Sequence, residues 1–229
     1  MLYDLLSINN VIWIVPGFEY KLSLVEAWST LLGLWFVIAF RKESLWAYPI
    51  GIINSLGFIA IFYQVQLYSD MLLNAYFILI SFLGWYWWIK HPPSGPLKIR
   101  YLSYDKWVVC LSLIASGSVI LGLHIDAIIE FLGVTFAGDD YQHVPAALPF
   151  WDAITTVMSI VAMFLLTRKY IEAWHLWVII DVICIGIYIY KGVYFLALEY
   201  TIFLANAVYA VYQWNKVSKN RPLEVVCSQ

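Results

Sequence analysis

Long apolar segments, separated by short polar ones, run through most of this chain. A helix of about 20 apolar residues crosses the hydrocarbon core of a bilayer, because each residue advances it by about 1.5 Å. The pattern predicts seven membrane-spanning helices, which cover roughly residues 26–40, 46–64, 67–88, 107–123, 147–167, 171–190 and 193–214. All seven are expected to be α-helices, since a single chain segment in lipid must satisfy its own backbone hydrogen bonds.

The third predicted span, Leu67–Trp88, has polar residues on one side. At about 100° per residue, its polar and aromatic positions fall within an arc of roughly 60°. The stripe consists of Asp70, Asn74, Ser81 and Trp85. A polar group in hydrocarbon costs several kcal/mol unless it finds a partner. The stripe therefore predicts that this helix lines a wet cavity or a permeation pathway.

The first 15 residues form a weaker segment. They are apolar for only about a dozen positions, too few for a confident span, and Asp4, Asn9 and Asn10 interrupt them. We expect an interfacial or re-entrant helix that ends at Pro16. An eighth span here is the less favoured alternative.

Composition agrees with a polytopic membrane protein. Of the 229 residues, 63% are hydrophobic and only 12% are charged, and the mean hydropathy is +0.78, whereas a soluble domain has about 25% charged residues. The 12 Trp and 17 Tyr residues exceed what interfacial belts require, so aromatic surface is also expected inside the protein. The net charge of −2 and the absence of a basic run predict no nucleic-acid partner.

The sequence contains no recognisable enzyme or metal motif. A phosphate-cradling glycine loop, HExxH, GxSxG and a Cys/His cluster are all absent. The predicted outer loop from His124 to Pro145 carries acids and histidines, but without compact ligand spacing, and is expected to be a solvated loop. We therefore predict no enzyme activity, no metal and no cofactor.

Basic residues predict the orientation. Eleven of the 13 Lys and Arg residues fall in alternate loops or the tail, and only Lys21 and Lys191 lie on the other side. By the positive-inside rule, the N-terminus is outside and the C-terminus is in the cytoplasm.

The two halves of the chain resemble each other at an offset of 126 residues. The matching pairs are Tyr68 with Tyr194, Phe77 with Phe203, Tyr86 with Tyr212, and Trp88 with Trp214, whereas Trp46 meets Trp174 only with a slip of two residues. An odd linking span gives both triplets the same orientation, which predicts a 3+1+3 arrangement of parallel repeats. The expected parts are an N-terminal interfacial segment (1–25), a first repeat (26–90), a linking region (91–146) with a basic inner loop, a linker helix and an outer loop, a second repeat (147–215) and a cytoplasmic tail (216–229).

Three further spans carry polar or aromatic faces. Asp181 lies halfway along the sixth span and is the most buried acid that the sequence predicts; a helix–helix hydrogen bond or an ion pair with Lys191 or Arg168 is the simpler alternative. Because four helices have such faces, we predict one shared, asymmetric cavity. The predicted substrate-binding residues are Trp46, Asn54, Gln64, Asn74, Trp85, Trp174, Trp177, Asp181, Tyr188, Glu199 and Asn206.

These motifs resemble the PnuC family of bacterial nicotinamide riboside transporters. The match rests on Trp46 with Pro49 and Gly51, on QVQLYSD from Gln64, on GWYWW from Gly84, and on Trp174, Trp177, Asp181, Tyr188 and the polar face of the last span. The resemblance implies a fold similar to SWEET sugar transporters, a homotrimer, and facilitated diffusion of nicotinamide riboside in support of NAD biosynthesis. It also implies a cytosolic kinase that traps the riboside by phosphorylation, and a location in the bacterial inner (plasma) membrane.

The implied cargo suits the residues. Trp and Tyr faces can hold a cationic pyridinium ring, and Asp181 or Glu199 can supply charge, while the Asn and Gln side chains bond the sugar and carboxamide. Two alternatives stay open: a carrier for another flat vitamin such as thiamine, or a membrane scaffold whose polar stripes only join helices.

Overall fold

The computed structural model describes residues 6–15, 20–64, 67–90, 98–138, 141–142, 148–190 and 194–220. Within these ranges the chain forms one short hairpin and seven long helices. The strands are β1 (Val11–Val15) and β2 (Tyr20–Ser23). The helices are α1 (Leu24–Arg41), α2 (Ala47–Gln64), α3 (Tyr68–Ile89), α4 (Tyr104–Ala137), α5 (Pro149–Thr167), α6 (Glu172–Tyr190) and α7 (Tyr194–Asn220).

Local chemistry explains several helix ends. Ser23 caps α1 in a capping box, in which its hydroxyl accepts from the Glu26 N–H and the Glu26 carboxylate accepts from the Ser23 N–H. Pro49 lies in the first turn of α2, where the missing N–H has no helical partner to lose. Gly138 ends α4 with a φ of +68°, which a glycine adopts without steric cost.

Six of the helices form a closed ring. In order around it, α1 packs on α2, α2 on α3, α3 on α5, α5 on α6, α6 on α7, and α7 returns to α1. Helix α4 lies outside the ring against α5, with a smaller contact to α3. The first triplet (α1–α3) and the second triplet (α5–α7) therefore meet at two junctions, α3 with α5 and α7 with α1.

Helices α1–α6 are each long and apolar enough to cross a membrane, so six of the seven long helices in the described ranges meet that criterion. Helix α7 has 27 residues, packs along α6, and closes the ring against α1. Its role as the seventh span stays a prediction. The multi-pass character of the protein does not depend on it.

A large hydrophobic core reaches the end of the ring where α1, α3 and α5 terminate. We call this the basic end because its turns carry Arg41, Lys42, Arg168 and Lys169. Aromatic side chains fill this core edge to face. The Tyr48 ring meets Trp88 at 5.1 Å and 89°, and Trp174 meets Trp214 at 5.6 Å and 86°. Gly84 allows this packing, because a Cβ there would lie 2.6 Å from Tyr48 Cε1.

Positions 126 residues apart make matching contacts at this end. The Trp88 indole donates to the Thr167 carbonyl, and the Trp214 indole donates to the Arg41 carbonyl, both at 2.8 Å. Each of these four residues has its counterpart in the other bond at the same offset. Such reciprocity is expected of two repeats related by a pseudo-two-fold axis.

The match of Trp46 with Trp174 is wrong. The residue 126 positions before Trp174, without any slip, is Tyr48. Tyr48 packs edge to face on Trp88, just as Trp174 packs on Trp214. Trp46 instead precedes α2 and is 72% exposed. The match of Trp46 with Trp174 rests only on both being tryptophan, but an interior aromatic position accepts Tyr as well as Trp.

The predicted helix in the N-terminal segment is also wrong for Val11–Val15, although Leu6, the first described residue, is helical. Val11–Val15 is a strand paired antiparallel with Tyr20–Ser23, with a bulge near Val11. The run VIWIV consists of β-branched and aromatic residues, which favour strands. The turn at Pro16, which we expected to end a helix, lies outside the described residues.

The predicted loop from His124 to Pro145 is wrong in its first part. Helix α4 does not stop near Leu123 but continues to Ala137. The acids at Asp126 and Glu130 are four residues apart and share the polar face of an amphipathic extension, so the charges did not mark a loop. Helix α7 similarly runs past the predicted end at Trp214 to Asn220.

Candidate functional site

Acidic and aromatic side chains from four helices converge inside the half of the ring opposite the basic end. Asp70 and Asp152 lie in the first turns of α3 and α5, which both begin in that half. Both interact electrostatically with Cys184 and Tyr188 of α6. Three helices that are distant in sequence thus face a common interior. We call this region the acidic half.

Asp181 of α6 lies at the floor of the acidic half. It is only 3% exposed and stands midway along its helix, one turn before Cys184. It lies within electrostatic reach of Cys184 and of Tyr200 of α7. The carboxyl group therefore points toward the neighbouring ring helices and not toward the surrounding lipid.

Two tyrosines form a stacked pair beside these acids. The rings of Tyr188 and Tyr200 are 5.3 Å apart at an interplanar angle of 23°, and they join α6 to α7. Phe203, one turn further along α7, meets the Tyr200 ring edge-on at 5.9 Å. The pair gives the acidic half an aromatic wall with negatively charged groups next to it, an arrangement suited to a flat cation.

Glu199 presents a carboxylate oxygen that lacks a partner. The residue is 7% exposed, and its Oε1 has no hydrogen bond from any described residue. Thr30 of α1 interacts with the same carboxyl group. A buried acceptor without a donor is costly, so this oxygen is a natural contact point for a ligand donor or cation.

Asn54 contacts the part of α1 that also interacts with Glu199. Its Nδ2 donates to the Ser29 carbonyl of α1 at 2.6 Å. A Cβ built on Gly33 of α1 would lie 3.4 Å from this nitrogen and 3.6 Å from the Phe203 ring of α7. Asn54 therefore ties α2 to α1 close to α7. In α3, Asn74 is buried and donates to the Asp70 carbonyl one turn earlier at 3.0 Å.

Asn206 lies toward the basic end and is already occupied. Its Oδ1 accepts from Arg41 Nη1 at 2.8 Å, and its Nδ2 donates to the Val37 carbonyl at 3.4 Å. The Arg41 guanidinium also stacks over the Tyr209 ring at 4.7 Å. In this conformation Asn206 joins α7 to α1.

The predicted tryptophans differ in position. Trp174 is buried in the basic-end core, where its indole N–H finds no acceptor among the described side chains and backbone. Trp85 and Trp177 are partly buried and pack against the same core. All three therefore belong to the hydrophobic core that joins the ring helices.

Two predicted site residues lie apart from the others. Trp46 is exposed at the basic end, where its backbone N–H donates to Ser44 Oγ. Gln64 ends α2 and holds the N-terminal segment, since its Nε2 donates to the Leu6 carbonyl at 2.7 Å and its Oε1 accepts from the Ile8 N–H at 3.1 Å. The structure does not bring either one to Asp181.

Sequence reasoning missed Thr30, Cys184 and Tyr200. Cys184 is three residues after Asp181, so helical spacing could have placed it on the same face. Tyr200 follows Glu199 directly and gave no periodic signal. No three His, Cys, Asp or Glu side chains in the described ranges are arranged to hold a metal ion.

An apolar groove of about 450 Å³ lies outside the acidic half, between α5 and α6. It is lined by Leu148, Trp151, Val182, Ile183, Gly186, Ile187 and Tyr190. None of these side chains is charged, so this groove is a poor site for a cationic ligand.

Comparison with known proteins agrees with a membrane carrier. The family model described as "Nicotinamide mononucleotide transporter" matches residues 23–216. The nicotinamide riboside transporter PnuC of Escherichia coli (strain K12) is 34% identical over 233 residues, covering 95% of this chain and 97% of that protein. The riboflavin/roseoflavin transporter RibM of Streptomyces davaonensis is 23% identical over 195 residues, covering 82% and 84%.

A solved structure shares the fold. The crystal structure described as the vitamin B3 transporter PnuC superposes with a TM-score of 0.65 at 24% identity, covering 86% of this chain and 83% of that one. The family match covers most of the chain, including both triplets and every predicted site residue. This protein is therefore a multi-pass bacterial membrane transporter, not an enzyme, and belongs to the nicotinamide mononucleotide transporter family.

Proposed function

We propose that this protein carries nicotinamide riboside into the cell by facilitated diffusion. The observation that carries the proposal is the acidic half, where Glu199 offers a buried oxygen without a partner among the described residues, close to Tyr200, whose ring stacks on Tyr188. Nicotinamide riboside combines a flat cationic ring with a polyhydroxylated sugar. The relative that covers nearly the whole chain is named for this same substrate.

The chemistry of the wall fits a pyridinium cation. Each aromatic face contributes roughly 0.5–2 kcal/mol to a cation held over it. A bound cation favours the ionised form of a buried carboxyl group, so Asp181 and Glu199 can supply negative charge to it where solvent screening is weak. Asn54 and Asn74 offer amide groups for the sugar and the carboxamide. Trp85, Trp174, Trp177 and Asn206 complete the proposed pathway toward the basic end.

The acidic half also favours the riboside over its phosphate. A phosphate group adds roughly −1.5 to −2 charge at neutral pH, and buried carboxylates repel that charge. The family description names the mononucleotide, whereas the relative with 34% identity is named for the riboside. We favour the riboside as cargo, with a cytosolic kinase that phosphorylates it, prevents its return and feeds NAD biosynthesis.

The arrangement in the membrane follows the same proposal. We place the basic end in the cytoplasm, with the N-terminus outside and the C-terminus inside, as the positive-inside rule requires. The ring order and the matching contacts at an offset of 126 residues support a 3+1+3 parallel-repeat fold of the kind found in SWEET transporters. A homotrimer is the proposed assembly.

A transport assay tests the mechanism. Proteoliposomes are loaded with buffer, with a proton or sodium gradient, or with a riboside kinase and ATP. We expect labelled riboside to reach the outside concentration and no more with either gradient, and to accumulate only with the kinase inside. Accumulation above equilibrium that depends on a gradient would refute the uncoupled mechanism.

A competition series tests the cargo. Unlabelled nicotinamide riboside should block uptake of the labelled compound, and the mononucleotide should compete at least tenfold less well, since about 1.4 kcal/mol of repulsion suffices for that factor. Thiamine and riboflavin form the other arms, because the relative named for riboflavin transport covers 82% of this chain. Stronger competition by either vitamin would reassign the cargo within the same fold.

A further inference from the structure

The two triplets are joined at the basic end by an ion pair and two hydrogen bonds. Lys169 Nζ lies 2.7 Å from Glu43 Oε2, and both side chains are largely buried, with 12% and 22% exposed. The two indole-to-carbonyl bonds described above lie on either side of this pair. We call the set the basic-end latch; it consists of Arg41, Glu43, Trp88, Thr167, Lys169 and Trp214.

Glu43 and Lys169 occupy equivalent positions in the two halves. They are 126 residues apart, and both have a left-handed backbone, with φ of +54° and +59°. Residues other than glycine seldom adopt this conformation, and it persists only where surrounding contacts hold it. The two turns thus share a backbone conformation at this position and meet each other, with opposite charges on the two equivalent side chains.

Additional contacts anchor the ion pair to both junctions of the ring. The Lys169 ammonium lies 4.2 Å from the centre of the Trp88 ring, a cation–π contact at the α3–α5 junction. Arg41, two residues before Glu43, bonds Asn206 at the α7–α1 junction. The latch therefore includes contacts at both junctions of the ring, with the ion pair between the two turns that carry them.

We propose that the basic-end latch is the gate on this side of the pathway, closed in this structure and broken as a unit when the triplets separate. The inference rests on the proposed transport function, in which two repeats rock about a site near mid-depth. Rocking that opens the basic end must part the turns at Glu43 and Lys169. Because all three bonds cross between triplets, their rupture is the step that exposes the interior on that side.

A native cysteine reports on the gate without any cargo. Cys184 is buried beside Asp181 and near groups of three other ring helices. The other two cysteines are first removed by Cys110→Ser and Cys227→Ser. A membrane-impermeant maleimide is then applied to oriented vesicles from the side of the basic end. Glu43→Lys places two like charges in the latch, and we expect Cys184 to react about tenfold faster from this face, but not from the other.

Charge exchange supplies the decisive comparison. Glu43→Lys/Lys169→Glu restores opposite charges in the same turns and should return Cys184 labelling close to the wild-type rate. Asp105→Lys, an exposed charge reversal of the same sign in the first turn of α4, controls for the change in surface charge and should have no effect. Wild-type labelling in Glu43→Lys, or fast labelling that persists in the exchange variant, would overturn the gate.

Two variants guard against misfolding. If Glu43→Lys does not elute as a monodisperse protein, Glu43→Gln and Lys169→Met remove the attraction without adding repulsion and should each raise the labelling rate several-fold. Wild-type labelling in both would equally overturn the proposal. The labelling experiment does not use riboside, so it tests the gate independently of the substrate. If labelling changes as expected but riboside is not transported, the gate is supported and only the assignment of the substrate is wrong.

Discussion

Replacement of Glu199 by Gln isolates the charge of the acidic half. The side chain keeps its shape, and the amide can still interact with Thr30 of α1. What disappears is the negative charge at Oε1, the oxygen that has no donor among the described residues. We expect weaker binding of nicotinamide riboside with little change in folding.

The expected loss follows from burial. Glu199 is only 7% exposed, so water screens its charge poorly. A hydrogen bond to a charged group contributes about 1.5–3 kcal/mol, against about 0.5–1.5 kcal/mol for a neutral one. Adding the lost attraction to the pyridinium, we expect about 1.5–3 kcal/mol, which corresponds to a roughly 10- to 100-fold rise in Kd.

Equilibrium titration of the purified protein, read by tryptophan fluorescence, measures this change. Glu172→Gln is the matched control, because Glu172 is equally buried and also has an oxygen without a described partner. Its other oxygen accepts from the Leu102 N–H at 3.0 Å, at the start of α6 near the basic end. We expect Glu172→Gln to leave Kd unchanged.

A second ligand separates charge from shape. The reduced riboside has an uncharged dihydropyridine ring and should lose at most a few-fold affinity in Glu199→Gln. An equal loss for both ligands, an equal loss in Glu172→Gln, or no loss at all would refute the assignment of Glu199 to the cation.

Three other changes test the framework around the site. Gly84→Ala places a Cβ 2.6 Å from a ring carbon of α2 and should destabilise the protein by about 1–3 kcal/mol, whereas Gly186→Ala, with no atom within 4 Å, should not lower the Tm. Trp214→Phe loses the indole hydrogen bond, and its Tm should fall by about 2–4 °C for each kcal/mol of unfolding free energy that is lost with that bond. Trp28 is exposed, so Trp28→Phe should keep the wild-type Tm. Gln64→Ala should speed proteolysis of the N-terminal segment without altering riboside affinity, because Gln64 bonds that segment. A rise in the Kd for riboside would show instead that Gln64 contributes to substrate binding.

Helix positions were accessible from the sequence wherever apolar length was decisive. The bounds of α2, α3 and α6 fall within about two residues of the expected spans, because a bilayer sets the length of a helix. The prediction failed where polar residues were taken as loop signals. Asp126 and Glu130 lie within α4, whose exposed surface accommodates them.

The site was accessible only in part. Asp181 and Glu199 are predicted to bind substrate because a carboxylate in an apolar helix is costly, and the structure shows that both are buried, while their role in binding stays a prediction. Trp46 and Gln64 share the face of Asn54 by helical spacing, yet one lies exposed before α2 and the other holds the N-terminal segment. Periodicity describes a face of one helix, and it does not specify which part of that face reaches the common interior.

The sequence by itself determined the class of the molecule, the family, the spans and the offset of 126 residues, because each depends on local hydrophobicity or on matching residues along the chain. The tertiary structure decided which side chains meet. The Tyr188–Tyr200 pair joins α6 to α7, and Lys169 finds Glu43 across 126 residues. Such contacts depend on how helices rotate and pack in the ring, and distant positions in a chain carry no local record of that packing.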